Sequence, residues 1–175
     1  MSTPTPPIPI VLVGIHTEIG EPVASGLRPD FDGTSLPPFP SPSPLHPPLA
    51  TTNPSRPTVI RFIQTFAAAQ SDLPYLLRGE SPPDAATNTV GSGDFSRGPA
   101  RAVLFGRGFS QRQAEELYAA NKTAAEGVVW VAGDEAKRPA GFEPPPGIEK
   151  VMVPIFRGAL EKWVEEGGKG GLVLY

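Results

Sequence analysis

Apolar residues in this chain cluster into five short runs, and the stretches between several of them carry helical spacing. Ile8 to Val13 is wholly apolar and closes on Gly14, which predicts a strand over residues 8–14 buried on both faces. Pro9 sits near its start, where a missing donor is tolerated. Further strands are predicted over residues 59–63, 102–106, 128–132 and 172–175. Ile19, Val23, Ala24 and Leu27 line one side of a short helix over 19–27, with Pro22 expected in its first turn. Residues 65–78 are helical in composition, with a break or restart expected between Ser71 and Pro74. Residues 110–122 carry the clearest helix: Ser110 and Gln113 stand at capping-box spacing, and Ala114, Leu117, Tyr118 and Asn121 share a face. A long helix over 148–166 carries Val151, Met152, Ile155, Phe156, Ala159, Leu160 and Trp163 at helical spacing.

Five strands alternating with four helices predict an α/β fold, a parallel sheet with helices on both faces. Right-handed crossovers would then make it a three-layer sandwich. In such sheets ligands bind beyond the carboxyl ends of the strands, near the point where strand order reverses. That rule assigns residues 14–20, 64–65, 106–110 and 133–147 to the binding edge. The edge therefore carries His16, Thr17, Glu18, Gln64, Thr65, Arg107, Ser110, Asp134, Lys137 and Arg138.

Composition adds one exception to this regular picture. The chain has 24 prolines and 19 glycines in 175 residues, about twice the usual share of roughly 12%. Nine of those prolines lie within residues 33–57, a density that excludes a helix or central strand. The segment is expected to be an irregular or disordered insertion on the edge opposite the binding site, within a single domain spanning 1–175. The formal charge of −3 gives no basic field for nucleic acid or membrane. No cysteine is present, and His16 is one of only two histidines, so neither a disulfide framework nor a transition-metal site is expected. The first residues lack the positive start and apolar stretch of a signal peptide, and no run reaches the ~18 residues of a membrane span. A soluble cytoplasmic protein is the expectation.

The strand, turn and helix through Val13, Gly14, Thr17 and Gly20 resemble the G-x-x-G-x-x-G fingerprint of NAD(P)-binding Rossmann proteins, in the form seen in atypical short-chain dehydrogenases. Positions 14, 17 and 20 match its spacing, with Thr17 in place of the middle glycine. The resemblance implies a Rossmann-like fold and NAD or NADP as cofactor, with the pyrophosphate on the helix N-terminus. Its ribose contact would fall at Gln64, 19 residues past Gly20 once the 25-residue insertion is set aside; here it is an amide rather than an acid. Tyr118 and Lys122 are similar to the Y-x-x-x-K of short-chain dehydrogenases, which implies a tyrosine acting as general acid beside a lysine.

Gly106, Arg107 and Gly108 precede the capped helix and could form an anion nest with Arg107 as fork donor; the plainer reading is a tight turn needing positive φ. The cofactor-edge residues are therefore Gly14, His16, Thr17, Gly20, Gln64, Gly106, Arg107, Gly108 and Ser110. Three functions follow: binding of a nucleotide or other phosphate-bearing small molecule without assured catalysis, a cofactor-free interaction protein dimerising through helix 148–166, and a small reductase using Tyr118 and Lys122. Residues 33–57 read as a late insertion or a retained non-coding stretch. Mass spectrometry of the native protein should detect a peptide from within that segment, and its detection eliminates the non-coding version.

Overall fold

The computed structural model describes residues 8–27, 57–87, 90–137 and 143–175. The proline-rich segment up to residue 56 and Arg138 lie outside them. The strands are β1 (Ile8–Val13), β2 (Pro57–Ile63), β3 (Ala102–Phe105), β4 (Val129–Ala132) and β5 (Gly171–Leu174). The helices are α1 (Thr17–Leu27), α2 (Phe66–Leu76), α3 (Gln111–Ala120) and α4 (Glu149–Glu165). All strand pairs are parallel, in the order β2-β1-β3-β4-β5. The fold is thus a Rossmann-like α/β sandwich whose strand order, 2-1-3-4-5, is one of the two common doubly wound orders. The switch point lies between β1 and β3, from which the chain steps in opposite directions.

Side-chain alternation divides the core into two layers. Ile10, Leu12, Leu104 and Val131 pack with α1 and α4, whereas Val11, Val13, Val103 and Trp130 pack with α2 and α3. This arrangement corrects the expectation of four right-handed crossovers. The steps from β2 to β3 and from β3 to β4 run one way across the sheet with helices on one face, and the step from β1 to β2 runs the other way on the opposite face. Those three therefore share one hand. The step from β4 to β5 runs with the first pair, yet its helix α4 lies on the face of α1, so its hand is opposite. With right-handed crossovers the strong rule, β4–α4–β5 is the left-handed one. Its reason is coverage, because α1 alone reaches β1 and β2 and would leave Ala102, Leu104, Val129 and Val131 bare.

Helix α4 closes against α1 at Gly26, where an added Cβ would come within 2.7 Å of Val153. Arg157 donates through Nε (3.0 Å) and Nη2 to the carbonyl of Gly26, placing a cation at the C-terminal end of α1. The apolar stripe of α4 is used internally: Met152, Phe156, Leu160 and Trp163 are buried, while the exposed Val151 and Val164 lie on opposite flanks. No helix among the described residues is long and apolar enough to cross a membrane.

Two helices depart from expectation. The break near Ser71–Pro74 is absent, and α2 runs through Pro74. Thr65 caps it, accepting from the Ala68 amide, and Leu73 and Leu76 anchor its far end in the core. Pro22 is inside α1 rather than in its first turn, because the helix starts at Thr17, directly off the β1 turn.

The apolar-run reading also passed over a buried ion pair. A bulge in β2, where the register with β1 shifts from Ile10 opposite Val59 to Val11 opposite Arg61, turns Arg61 towards α2. There its Nη2 lies 2.6 Å from Asp72 Oδ2 and its Nε 3.0 Å, with both side chains 3% exposed. Nη1 and Nη2 also donate to the carbonyls of Ala85 and Asp84, tying the α2–β3 connection to the sheet. Farther along that connection, the amides of Ser92 and Gly93 donate to Val59 and Ile60 carbonyls and cover part of the open side of β2. Removing one partner of a buried pair strands a charge, so Asp72→Ala should cost about 3–5 kcal/mol. Arg61→Met combined with Asp72→Leu should recover part of that loss, and a double-mutant cycle in urea measures the coupling.

Candidate functional site

The turn after β1 is held from both sides. The Gly14 amide donates to Ile63 O at 2.9 Å, and the Gly106 amide donates to Val13 O at 2.7 Å. Chain leaving β1 and β3 is thereby brought together at the switch point. Below this junction, between the N-terminal halves of α1 and α4, lies an open cleft. Its walls are Leu12, Ile19, Val23 and Phe62 on one side, and Ile148 at the N-cap of α4 with Met152 and Phe156 of that helix on the other. Gly14, His16, Gly20, Gly106, Arg107 and Gly108 line it near the sheet edge, together with Val13, Ile15 and Pro144. Six of the nine residues expected at a cofactor edge therefore converge. His16 and Arg107 are the titratable side chains among the described lining residues.

Thr17 and Gln64 meet each other beside the cleft. Gln64 Nε2 donates to Thr17 Oγ1 at 2.7 Å and to Ile15 O at 3.4 Å. The two positions that depart from the fingerprint thus complement one another: a hydroxyl where it has glycine meets an amide where it has an acid. Their bond links the start of α1 to the end of β2. His16 Nδ1 lies 3.2 Å from Glu18 Oε1, and both side chains are largely exposed.

The glycine spacing has a packing cause. An added Cβ at Gly20 would approach Phe62 Cε2 to 2.6 Å and Cζ to 2.7 Å, and one at Gly14 would reach Cε2 at 3.2 Å. The Phe62 ring, 4% exposed, lies against both glycines and lets α1 sit close on the sheet. The turn from Gly106 to Phe109 is tight, the Phe109 amide donating to Gly106 O at 3.1 Å, but neither Gly106 nor Gly108 adopts the positive φ expected there. Gly108 is instead small because Ile15 occupies its side-chain space, at 2.5 Å.

The other candidates take structural roles. Ser110 completes the capping box of α3, accepting from the Gln113 amide (3.1 Å) while its own amide donates to Gln113 Oε1 (2.9 Å). Asp134 accepts from the Ala136 amide and pairs with Lys137 at 3.5 Å. Tyr118 packs edge-on against Trp130, 5.5 Å between centroids, in the layer of α2 and α3, on the sheet face away from the cleft. Lys122 is exposed beyond the end of α3. The nearby arginines are dispersed as well: Arg101 lies 5.7 Å from the Trp163 ring, Arg107 5.2 Å from the Tyr175 ring, and Arg112 is exposed on α3.

Sequence reading passed over the apolar half of the site. Phe62, Met152 and Phe156 appear in it only as core residues, although an aromatic two positions before Gln64 and two glycines six apart were the available signal. Gly20→Ala should cost about 1–3 kcal/mol by overpacking against Phe62. Phe62→Leu in the same chain should return part of it, as read from denaturant midpoints at unchanged slope.

No family model matches the chain, and no solved structure does. The chain is similar to a protein named "Kojic acid related protein 6" of Aspergillus oryzae (strain ATCC 42149 / RIB 40), at 26% identity over 170 residues, covering 95% of this chain and 86% of that protein.

Proposed function

We propose that this protein binds a nucleotide or dinucleotide, NAD or NADP among them, at the cleft between α1 and α4, weakly and without assured catalysis. The observation that carries this reading is the position of the cleft. It opens at the β1/β3 switch point, with the N-terminus of α1, the turn of Gly106, Arg107 and Gly108, and a mostly apolar wall around one volume. Amides at a helix N-terminus favour phosphate, and an apolar wall suits the flat face of a base or nicotinamide ring. Glu18 at the same helix start opposes the anion, which is why the binding is weak. Catalysis by Tyr118 and Lys122 gains no support from their placement on the far face.

A second reading, a cofactor-free interaction protein, draws on the Thr17–Gln64 hydrogen bond and on Phe62. Together they explain Gly14, Gly20 and the two fingerprint departures by packing alone. A thermal-shift series with NAD, NADH, NADP and NADPH separates the two. A ligand at 100 times its Kd should stabilise the fold by about 2.7 kcal/mol, or about 5–11 °C for a domain of this size. No shift at millimolar concentration of all four overturns the nucleotide reading.

A further inference from the structure

The two edges of the sheet are finished differently. The Ser92 and Gly93 amides cover part of β2, whereas no strand among the described residues pairs with the outer side of β5. On its inner side the Gly171 and Tyr175 amides donate to the carbonyls of Val128 and Ala132. Successive residues of an extended strand direct their main-chain groups to alternate sides, so Leu172 and Leu174 turn N–H and C=O outward. Their side chains lie beside Trp130 and Ala132 on the face of α2 and α3, and Val173 lies beside Val131 on the face of α4. Val173 and Leu174 are 41% and 36% exposed, while every residue of β1, β3 and β4 is buried. On the flank of α4 turned away from Val153 and Arg157, which meet α1, the exposed Val151 and half-buried Ile155 and Ala159 extend this apolar margin. Between Gly170 and Tyr175 there is no charge and no proline, so the edge lacks the residues that usually blunt one.

We infer that β5 pairs antiparallel with β5 of a second copy, about a two-fold axis through Val173, joining two sheets into one. The register is self-complementary. With Val173 opposite its own counterpart, Leu172 of each copy faces Leu174 of the other, and each such pair exchanges both N–H···O=C bonds. All the outward main-chain groups of Leu172 and Leu174 are then satisfied, whereas a shift by one residue would set outward groups against inward ones. The two Val173 side chains meet at the axis in the closer, non-hydrogen-bonded kind of pair. Gly171 falls opposite Tyr175, and the space beside Gly171 is open: an added Cβ there would meet nothing within 4 Å. Charge does not oppose the approach, because Lys162 and Glu166 on that flank of α4 bridge each other at 3.8 Å within one helix. A strand of 4 residues with its neighbours falls short of the roughly 20–30 residues a side of a standard interface, so the dimer is weak, micromolar or looser. The interface is thus the strand edge rather than the buried stripe of α4, and it is independent of what the cleft binds.

Sedimentation equilibrium of the full chain from about 1 μM to about 1 mM brackets that affinity and should show monomer giving way to dimer. Val173→Lys sets two cations against each other at the axis and should raise the dimer Kd about tenfold or more. Val164→Lys, on the other flank of α4, should leave it unchanged. Leu174→Pro removes an outward donor without touching the bonds to β4, and should dissociate the dimer; circular dichroism checks that each variant is folded. Because the chain has no cysteine, Val173→Cys reads the register directly. Mild oxidation should link two copies through one disulfide, since Cα atoms of a non-hydrogen-bonded pair lie within disulfide reach, and Val164→Cys should not cross-link.

A monomer at every concentration overturns this inference. So does a dimer that survives both Val173→Lys and Leu174→Pro, or one that cross-links through Val164→Cys and not through Val173→Cys.

Discussion

A parallel sheet cannot leave either face wet when its central strands are apolar on both sides. β1, β3 and β4 are buried along their whole length, so helices must cover six strand faces. On one face α2 and α3 supply that cover in sequence order. On the other, α1 sits over the first two strands, and cover for the rest comes from α4, which crosses over with the disfavoured hand. The cleft follows from this arrangement. Two helices from far apart in the chain converge on one face, touch at Gly26 and Val153, and leave a gap between their N-terminal halves at the strand ends.

Close packing at the β1 turn sets the shape of that gap. Phe62 needs Gly20 to have no side chain, and in exchange it supplies one wall of the cleft. Residues that resemble a phosphate-binding fingerprint thus serve a strand–helix contact first. The same economy appears at Tyr175, which ties β5 to β3 and at the same time backs Met152 and Phe156. The Thr17–Gln64 bond is a third case, a structural link made from two positions that the fingerprint assigns to ligand. In each case one side chain answers both to the fold and to the cleft.

The five strands and four α-helices of the described residues were legible because buried strands leave continuous apolar runs and amphipathic helices leave spaced ones. The meeting of Gly14, Gly106 and Pro144 at one edge of the sheet was legible because the strand-to-helix rule needs only strand direction. Three features were not. Handedness of β4–α4–β5 depends on which face lacks cover, a property of the assembled sheet. The Arg61–Asp72 pair hides in an apolar strand because a bulge turns a charged residue into the core. The apolar wall was missed because Phe62, Met152 and Phe156 have the same periodicity whether they face a core or a cavity.

The contact between Arg157 and Gly26 joins residues 131 positions apart. Contacts that distant form slowly, since a long loop must close before they return any stabilisation. During synthesis the face of Ile10, Leu12 and Leu104 therefore stays half bare until α4 has left the ribosome. Until then the nascent chain must carry that apolar surface, so the emergence of α4 is what ends its exposure to aggregation and to chaperones.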